Sequence, residues 1–230
     1  MYPVTRTVLQ STEHVLAVPF HRQASQFTCG PACLMMAMKF YKPSLRTTRG
    51  LEFDIWREAN LVESYGTSKE GLALAAATRG FDVYTMGRPM RHSFVDEIAD
   101  KVPGVDYEML ELLYNDTRAK FKSMSLRNVS SRLELSKLRR VLTESHVPIL
   151  LTSTSLFGGK EDLPHWIVLT GYGKSSWYVN NPLGKKPNTR LSHRVMEENV
   201  GYRQVRCALI VRGLRLQKIK DGEQTQLVSR

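Results

Sequence analysis

The chain has 230 residues, is 42% apolar and carries a formal charge of +11, so it holds enough apolar material for one domain, or one domain with a large insertion. No run approaches the ~18 apolar residues of a membrane helix, and residues 1–20 lack the basic-then-apolar pattern of a secretory leader. Three cysteines cannot all pair, and a domain of this size needs no disulfide staples, so the expected setting is the reducing cytoplasm.

In chain order, residues 14–19 alternate toward a strand that leads into a loop at Gln23. Residues 29–41 form a helix whose Leu34, Met38 and Tyr41 keep the spacing of a core face, stopped by Lys42-Pro43. Residues 52–62 are a second helix. Ser68 or Thr67 caps a third over 69–79, with Gly80 as its terminating glycine, and 81–86 is a strand. Residues 93–102 and 106–122 read as two helices parted by Pro103-Gly104; Tyr107, Leu110, Leu113, Tyr114 and Phe121 give the second an apolar stripe. A helix over 135–145 precedes a buried strand over 147–152. Residues 153–164, with Gly158-Gly159, form a loop that rims or covers whatever lies beside it. Strands over 164–172 and from 177 to an end at Asn181, joined by a turn, make a hairpin. A short helix over 194–199 and a last strand over 205–211 follow, and from Gly213 onward the chain is polar, basic and expected to fray. Helices first and a mostly antiparallel sheet afterwards give an α+β fold.

The chemistry concentrates at three places. Cys29 stands where a loop becomes a helix, facing unpaired backbone N–H groups and the positive end of the macrodipole. Such a setting can lower a thiol from about 8.5 to roughly 3.5–7.5, and the thiolate is the nucleophile. Gly30 permits close approach of another backbone or a substrate, and Pro31 suits a first helical turn. Far downstream, the hairpin puts His165 and Asn181 at one end of the sheet. His165 is placed to take the Cys29 proton, and Asn181 to accept from the other ring nitrogen and fix the tautomer. Asn180 is the rival, since successive strand residues face opposite sides. Gln23 lies just before Cys29, where its amide can reach the same oxygen as the Cys29 N–H; Gln26 is its rival.

The remaining candidates read as structural. Cys33, four residues after Cys29 on the same helical face, is a packing cysteine, with a redox lock on Cys29 as the sharper alternative. Cys207 alternates inside an apolar strand and belongs to the core. His14, His21, His92, His146 and His193 are surface or local hydrogen-bonding groups. Cys29, Cys33, His21 and His165 are chemically suited to zinc, but Cys-x3-Cys on one helix without a second tight pair is poor spacing for it; no metal and no cofactor is expected.

The charge is uneven. Residues 118–140 carry eight basic residues against the single acid Glu134, and 185–230 carry eleven against four acids, whereas 96–116 hold seven acids and only Lys101. A solvated face accounts for most of this. Nucleic acid is not the expected partner because no recognition motif accompanies the charge, while an acidic peptide would be drawn to such a surface.

These residues carry a resemblance. Gln23, then Cys29-Gly30, then the run from His165-Trp166 to Gly171-Tyr172, then Tyr178-Val179-Asn180-Asn181-Pro182 resemble the C39-like group of papain-like cysteine peptidases, and the likeness spans about residues 14–213. Trp56-Arg57-Glu58-Ala59, Gly71 to Ala76, Arg79 to Val83 and Ala208 to Arg212 resemble its stand-alone subgroup, which lacks a transporter. The resemblance implies a papain-like fold in one domain over 1–213, with a helical half at about 29–145, a sheet half at about 146–213 and a basic tail over 214–230. It also implies that Cys29 attacks, His165 is the base, Asn181 orients it and Gln23 supplies an oxyanion donor. Relatives commonly show Asp-Pro where this chain has Asn181-Pro182, which removes a charge that would stabilise imidazolium. The implied function is a cysteine peptidase acting on peptide or isopeptide bonds. Some members of the subgroup sit beside ligases that add glutamates to protein tails, which points to an acidic or glutamate-extended substrate. An acyltransferase or transglutaminase-like enzyme using the same thioester, and a peptide-binding module without chemistry, are the alternatives.

Overall fold

The computed structural model describes residues 13–60, 66–87 and 106–216. Its elements in chain order are β1 (His14–Val15), α1 (Cys29–Tyr41), α2 (Arg49–Ala59), α3 (Lys69–Thr78), β2 (Phe81–Gly87), α4 (Tyr107–Ser123), β3 (Arg127–Val129), α5 (Leu135–Thr143), β4 (Val147–Ser153), a 3-10 turn (Thr154–Phe157), β5 (Pro164–Tyr172), β6 (Ser176–Asn180), β7 (Thr189–Ser192), α6 (His193–Asn199) and β8 (Cys207–Leu214). The strands form one sheet in the order β3-β2-β8-β4-β5-β6-β7, with β1 on β5. All neighbours are antiparallel except β2 and β3. The α+β, mostly antiparallel expectation therefore holds.

The centre of the molecule is α1. Every residue from Cys29 to Met38 is buried, as required of a helix apolar on all sides. It packs on β5, β4 and β8 of the sheet and on α2 and α3 behind it. β4 is buried along its whole length, so both its faces are covered; α1 and α5 are among the helices that pack on it. Ser68 caps α3 by accepting from the Gly71 N–H. Gly71 lets α3 press on α2, since a Cβ there would lie 2.6 Å from the Ala59 carbonyl oxygen.

Several boundaries differ from the sequence reading, each for a local reason. The first strand is only His14–Val15, although the Leu16 N–H still bonds the Thr170 carbonyl at 2.8 Å. α2 begins three residues early because Thr48 caps it through the Leu51 N–H, and it ends at Ala59, before the expected 62. The expected helix over 93–102 lies outside the described residues. β3 and β7 were not anticipated: three and four residues of mixed polarity give too little periodicity to register. The loop over 153–164 contains the 3-10 turn. β6 stops at Asn180, one residue short of the expected Asn181, because Pro182 beyond it has no N–H for a ladder. β8 runs past Gly213 to Leu214, where Gly213 pairs with Asp82 and Leu214 with Phe81, so fraying does not start at Gly213. β1, β2 and β3 all precede residue 146 yet belong to the sheet, and β2 supplies the neighbour β8 needs on the side away from β4.

Candidate active site

The site forms where the N-terminus of α1 meets the start of β5. Cys29 is the first residue of the helix. Thr28 precedes it without capping through its side chain, and the first turn carries no acid. The leading N–H groups of α1 are thus left for another acceptor. The backbone N–H groups of Trp166, Gly30 and Cys29 itself all stabilise a negative charge on the Cys29 sulfur. Trp166 is the residue after His165, so the nucleophile candidate lies against the same stretch of β5 that carries the base candidate.

The carbonyl of Trp166 has a second role. It accepts the Cys33 thiol at 3.2 Å, and Cys33 is fully buried. Cys33 is therefore a packing residue that ties α1 to β5. A lock with Cys29 would need its Cβ drawn to about 3.5–4.5 Å, whereas residues four apart on a helix hold them roughly 5–6 Å apart.

His165 follows Pro164 at the start of β5, where a missing N–H costs least. It is 2% exposed, and its Nε2 lies 2.8 Å from Asn181 Oδ1. The orientation of the Asn181 amide is fixed independently, because the Leu183 N–H donates to the same oxygen at 3.0 Å. Nε2 therefore carries the proton, and Nδ1 keeps the lone pair for a base. Phe157, from the 3-10 turn, stands edge-on to the imidazole with ring centres 6.1 Å apart, so part of the loop over 153–164 does border the site. Asn180, the rival, has other duties. Its Nδ2 donates to the Val18 carbonyl at 3.1 Å and its Oδ1 accepts from the Asn188 N–H at 2.8 Å.

Gln23 sits on the loop before α1. Its N–H bonds the Pro182 carbonyl at 3.0 Å, joining this loop to the segment that carries Asn181. One hydrogen of its side-chain amide goes to the Ser25 carbonyl at 2.6 Å, and its Oε1 is buried with no partner. Gln26 is exposed.

The expected low thiol pKa is not what this setting gives. Burial pushes the Cys29 thiol up, and the three N–H groups offset this only in part; the Glu52 charge adds to the rise. Burial likewise lowers His165, with the Asn181 bond working the other way. In both groups desolvation favours the neutral form, outweighing the N–H groups around the Cys29 sulfur and the Asn181 bond at the His165 ring. Alkylation of Cys29 by iodoacetamide should accordingly rise about tenfold per pH unit from pH 6 and still be climbing at about pH 9. A rate profile that levels off below pH 7 would show the opposite.

Two features of the site were not singled out in the sequence. Gly30 is needed for a close approach, but what approaches is Thr67: a Cβ on Gly30 would lie 2.2 Å from Thr67 Oγ1 and 3.2 Å from the Trp166 ring. Trp166 Nε1 in turn donates to the Thr67 carbonyl at 3.1 Å. The other is Glu52, fully buried on α2 beneath the Gln23 loop. Its signal was present, since Glu52, Ile55 and Ala59 are the buried residues of α2 and share one helical face. His21, one of the suggested zinc ligands, pairs with Glu52 at 3.0 Å. Among the described residues no group of three or more His, Cys, Asp or Glu side chains is arranged to hold a metal.

The sequence profile described as the Peptidase_C39 like family matches residues 18–200. The chain belongs to that family. Solved structures agree on the fold. A protein of Bacillus anthracis described as a C39-like peptidase superposes with a TM-score of 0.53 at 13% identity, covering 93% of this chain and 99% of the other. A double glycine motif protease from an AMS/PCAT transporter, in complex with its leader peptide, superposes with a TM-score of 0.50 at 15% identity, over 92% and 98% of the two chains. No curated protein sequence matches the chain. The α+β fold of this family member is thus that of the papain-like C39 peptidase domains. No helix among the described residues is long and apolar enough to cross a membrane.

Proposed function

We propose that the protein is a cysteine peptidase in which Cys29, His165, Asn181 and Gln23 carry the reaction. The observation that most supports this is the 2.8 Å bond from His165 to Asn181, made one residue from the Trp166 N–H that faces the Cys29 sulfur. On this reading the substrate carbonyl enters beside Cys29, and His165 Nδ1 takes the thiol proton as sulfur attacks. Starting from the neutral pair, charge develops in step with bond formation rather than before it. The tetrahedral oxyanion accepts from the Cys29 N–H and from the free hydrogen of Gln23 Nε2. The C–N bond then breaks, His165 returns its proton to the leaving amine, and an acyl-thioester remains on Cys29. Water, losing a proton to His165, attacks the thioester; the C–S bond breaks, the acid departs, and the proton passes back to sulfur.

The likeness to a peptidase solved with a leader peptide supports a peptide substrate. We further propose that the substrate is acidic near the cleaved bond. Arg22, next to Gln23, and Lys185 and Lys186, shortly after Pro182, are exposed. They stand on two loops joined by the Gln23 to Pro182 bond. A thiol enzyme of this kind suits a reducing, cytoplasmic setting, and the three cysteines are free.

Matched glutamate-rich and neutral peptides, incubated with the protein and weighed by mass spectrometry, test both points. The acidic peptide should be cut faster, and its advantage should shrink severalfold as salt rises from about 20 mM to 500 mM and the Debye length contracts. Lys185→Glu with Lys186→Glu should erase the same advantage. Equal rates indifferent to salt would remove the acidic preference. Failure to cut any peptide while Cys29 remains alkylatable would remove the peptidase reading.

A further inference from the structure

We propose that Glu52 is a positioning residue that sets the oxyanion-binding loop in place for the reaction, and this rests on the peptidase reading above. The residue lies outside the set that touches substrate. It is fully buried on α2, and its carboxylate reaches up into the irregular segment that precedes α1. Oε1 accepts the Ala24 N–H at 2.7 Å, and Oε2 lies 3.0 Å from His21 Nε2. Burial works to raise this carboxyl, but the His21 and Ala24 bonds, with the Thr28 hydroxyl nearby, keep it below its ordinary range. One side chain thus grips residues 21 and 24, and Thr28 joins the same segment by donating its hydroxyl to the Ser25 carbonyl at 3.1 Å. Gln23 lies between the two gripped residues, and Cys29 follows Thr28.

The segment's other bonds are short-range and tie it mostly to itself, among them Ser25 N–H to Thr28 Oγ1 at 3.1 Å, the Thr28 hydroxyl to the Ser25 carbonyl at 3.1 Å, the Phe27 N–H to Ser25 Oγ at 3.3 Å, and Gln23 Nε2 to the Ser25 carbonyl at 2.6 Å. Its anchor to the other side of the cleft is the Gln23 bond to Pro182. An oxyanion donor must sit within a few tenths of an ångström of its target, and a misplacement of about 1 Å costs on the order of a hundredfold. The charge itself gives the chemistry nothing, since it raises the thiol of Cys29 and of Cys33. A buried carboxylate kept so near a nucleophile that it disfavours ionising is explained by what it holds.

The test compares Glu52→Ala, Glu52→Gln, Gln23→Ala and the Glu52→Ala/Gln23→Ala double variant. Turnover is measured per Cys29 site titrated by an irreversible electrophile, and amide hydrogen exchange is followed over residues 21–28. Glu52→Ala should speed exchange in that segment at least about tenfold while β5 stays protected. It should lower kcat about 10- to 100-fold with KM changed less than about threefold. Glu52→Gln, which keeps an oxygen for the Ala24 N–H, should recover kcat to within about fivefold of the parent. In the Gln23→Ala background, removing Glu52 should cost little more, because both changes strike one donor.

If Glu52→Ala does not fold, His21→Ala releases one partner of the same carboxylate, and the same exchange and non-additivity are expected in weaker form. Unchanged exchange in residues 21–28 overturns the proposal. So does unchanged kcat per titrated site, or a loss that multiplies fully with that of Gln23→Ala. A parent protein without Cys29-dependent turnover would instead defeat the peptidase reading and the catalytic half of this proposal with it, while the exchange data would still report whether Glu52 anchors the loop.

Discussion

On the proposed mechanism, Cys29→Ala should remove turnover, by about 10⁴- to 10⁶-fold, and leave the fold intact. The magnitude follows from the chemistry: without sulfur there is no acyl-enzyme, and the remaining catalysis comes from binding and oxyanion contacts alone. The fold survives because Cys29 sits at the rim of the core, 8% exposed, where a small apolar replacement leaves no large cavity. The loss also takes away a thiol that burial has pushed up and that contributes nothing to stability by ionising. Thermal unfolding by circular dichroism should therefore move by no more than a few degrees. Cys33→Ala is the matched control. It opens a hole in a fully buried position and leaves the Trp166 carbonyl without its 3.2 Å donor, so it should lower stability by about 1–3 kcal/mol while kcat per titrated site falls little. Activity in Cys29→Ala equal to that of the parent would end every reading in which this sulfur attacks.

The contrast between the two cysteines shows what a sequence can convey. Cys29 and Cys33 share one helical face, and the helix start marked by Gly30-Pro31 separates their settings. The β5–β6 hairpin was legible for a similar reason. Two apolar runs are punctuated by Pro164 and Pro182, and a turn between them brings His165 and Asn181 to one end. What stayed hidden depends on atoms distant in sequence. The helix terminus argues for a low thiol pKa, but the balance is set by how much water the packed sheet, α2 and α3 exclude, which no local pattern encodes. Thr67 meets Gly30 only because α3 folds back against α1. Glu52 followed the core spacing of Ile55 and Ala59, yet an acid in that phase is ordinarily a surface residue at a helix start, and only the loop it grips reveals its use. β3 and β7 were too short to carry a period, and their place comes from the strands beside them.

Gln23→Ala should lower kcat by about 10²- to 10³-fold, equivalent to ~2.7–4 kcal/mol in the barrier, without a matching loss of stability. The two effects separate because the side chain is poorly satisfied in the resting protein. Its Oε1 is buried and has no partner, a deficit typically worth about 1–3 kcal/mol, against which stands the single bond to the Ser25 carbonyl. Removing the amide relieves the first and loses the second, so unfolding free energy should change by less than about 1 kcal/mol and can rise. A residue retained for packing would show the reverse, a fall in stability with kcat unaffected. Gln23→Glu sharpens the test. It preserves size but replaces the donating Nε2 with an acceptor oxygen and sets a negative charge where another must form, so its kcat should lie below that of Gln23→Ala. Gln26→Ala, at an exposed position three residues on, should match the parent in both measurements. If Gln26→Ala shows the large loss of kcat and Gln23→Ala does not, the donor has been assigned to the wrong glutamine. If neither does, the Cys29 N–H works with a donor other than a glutamine of this loop.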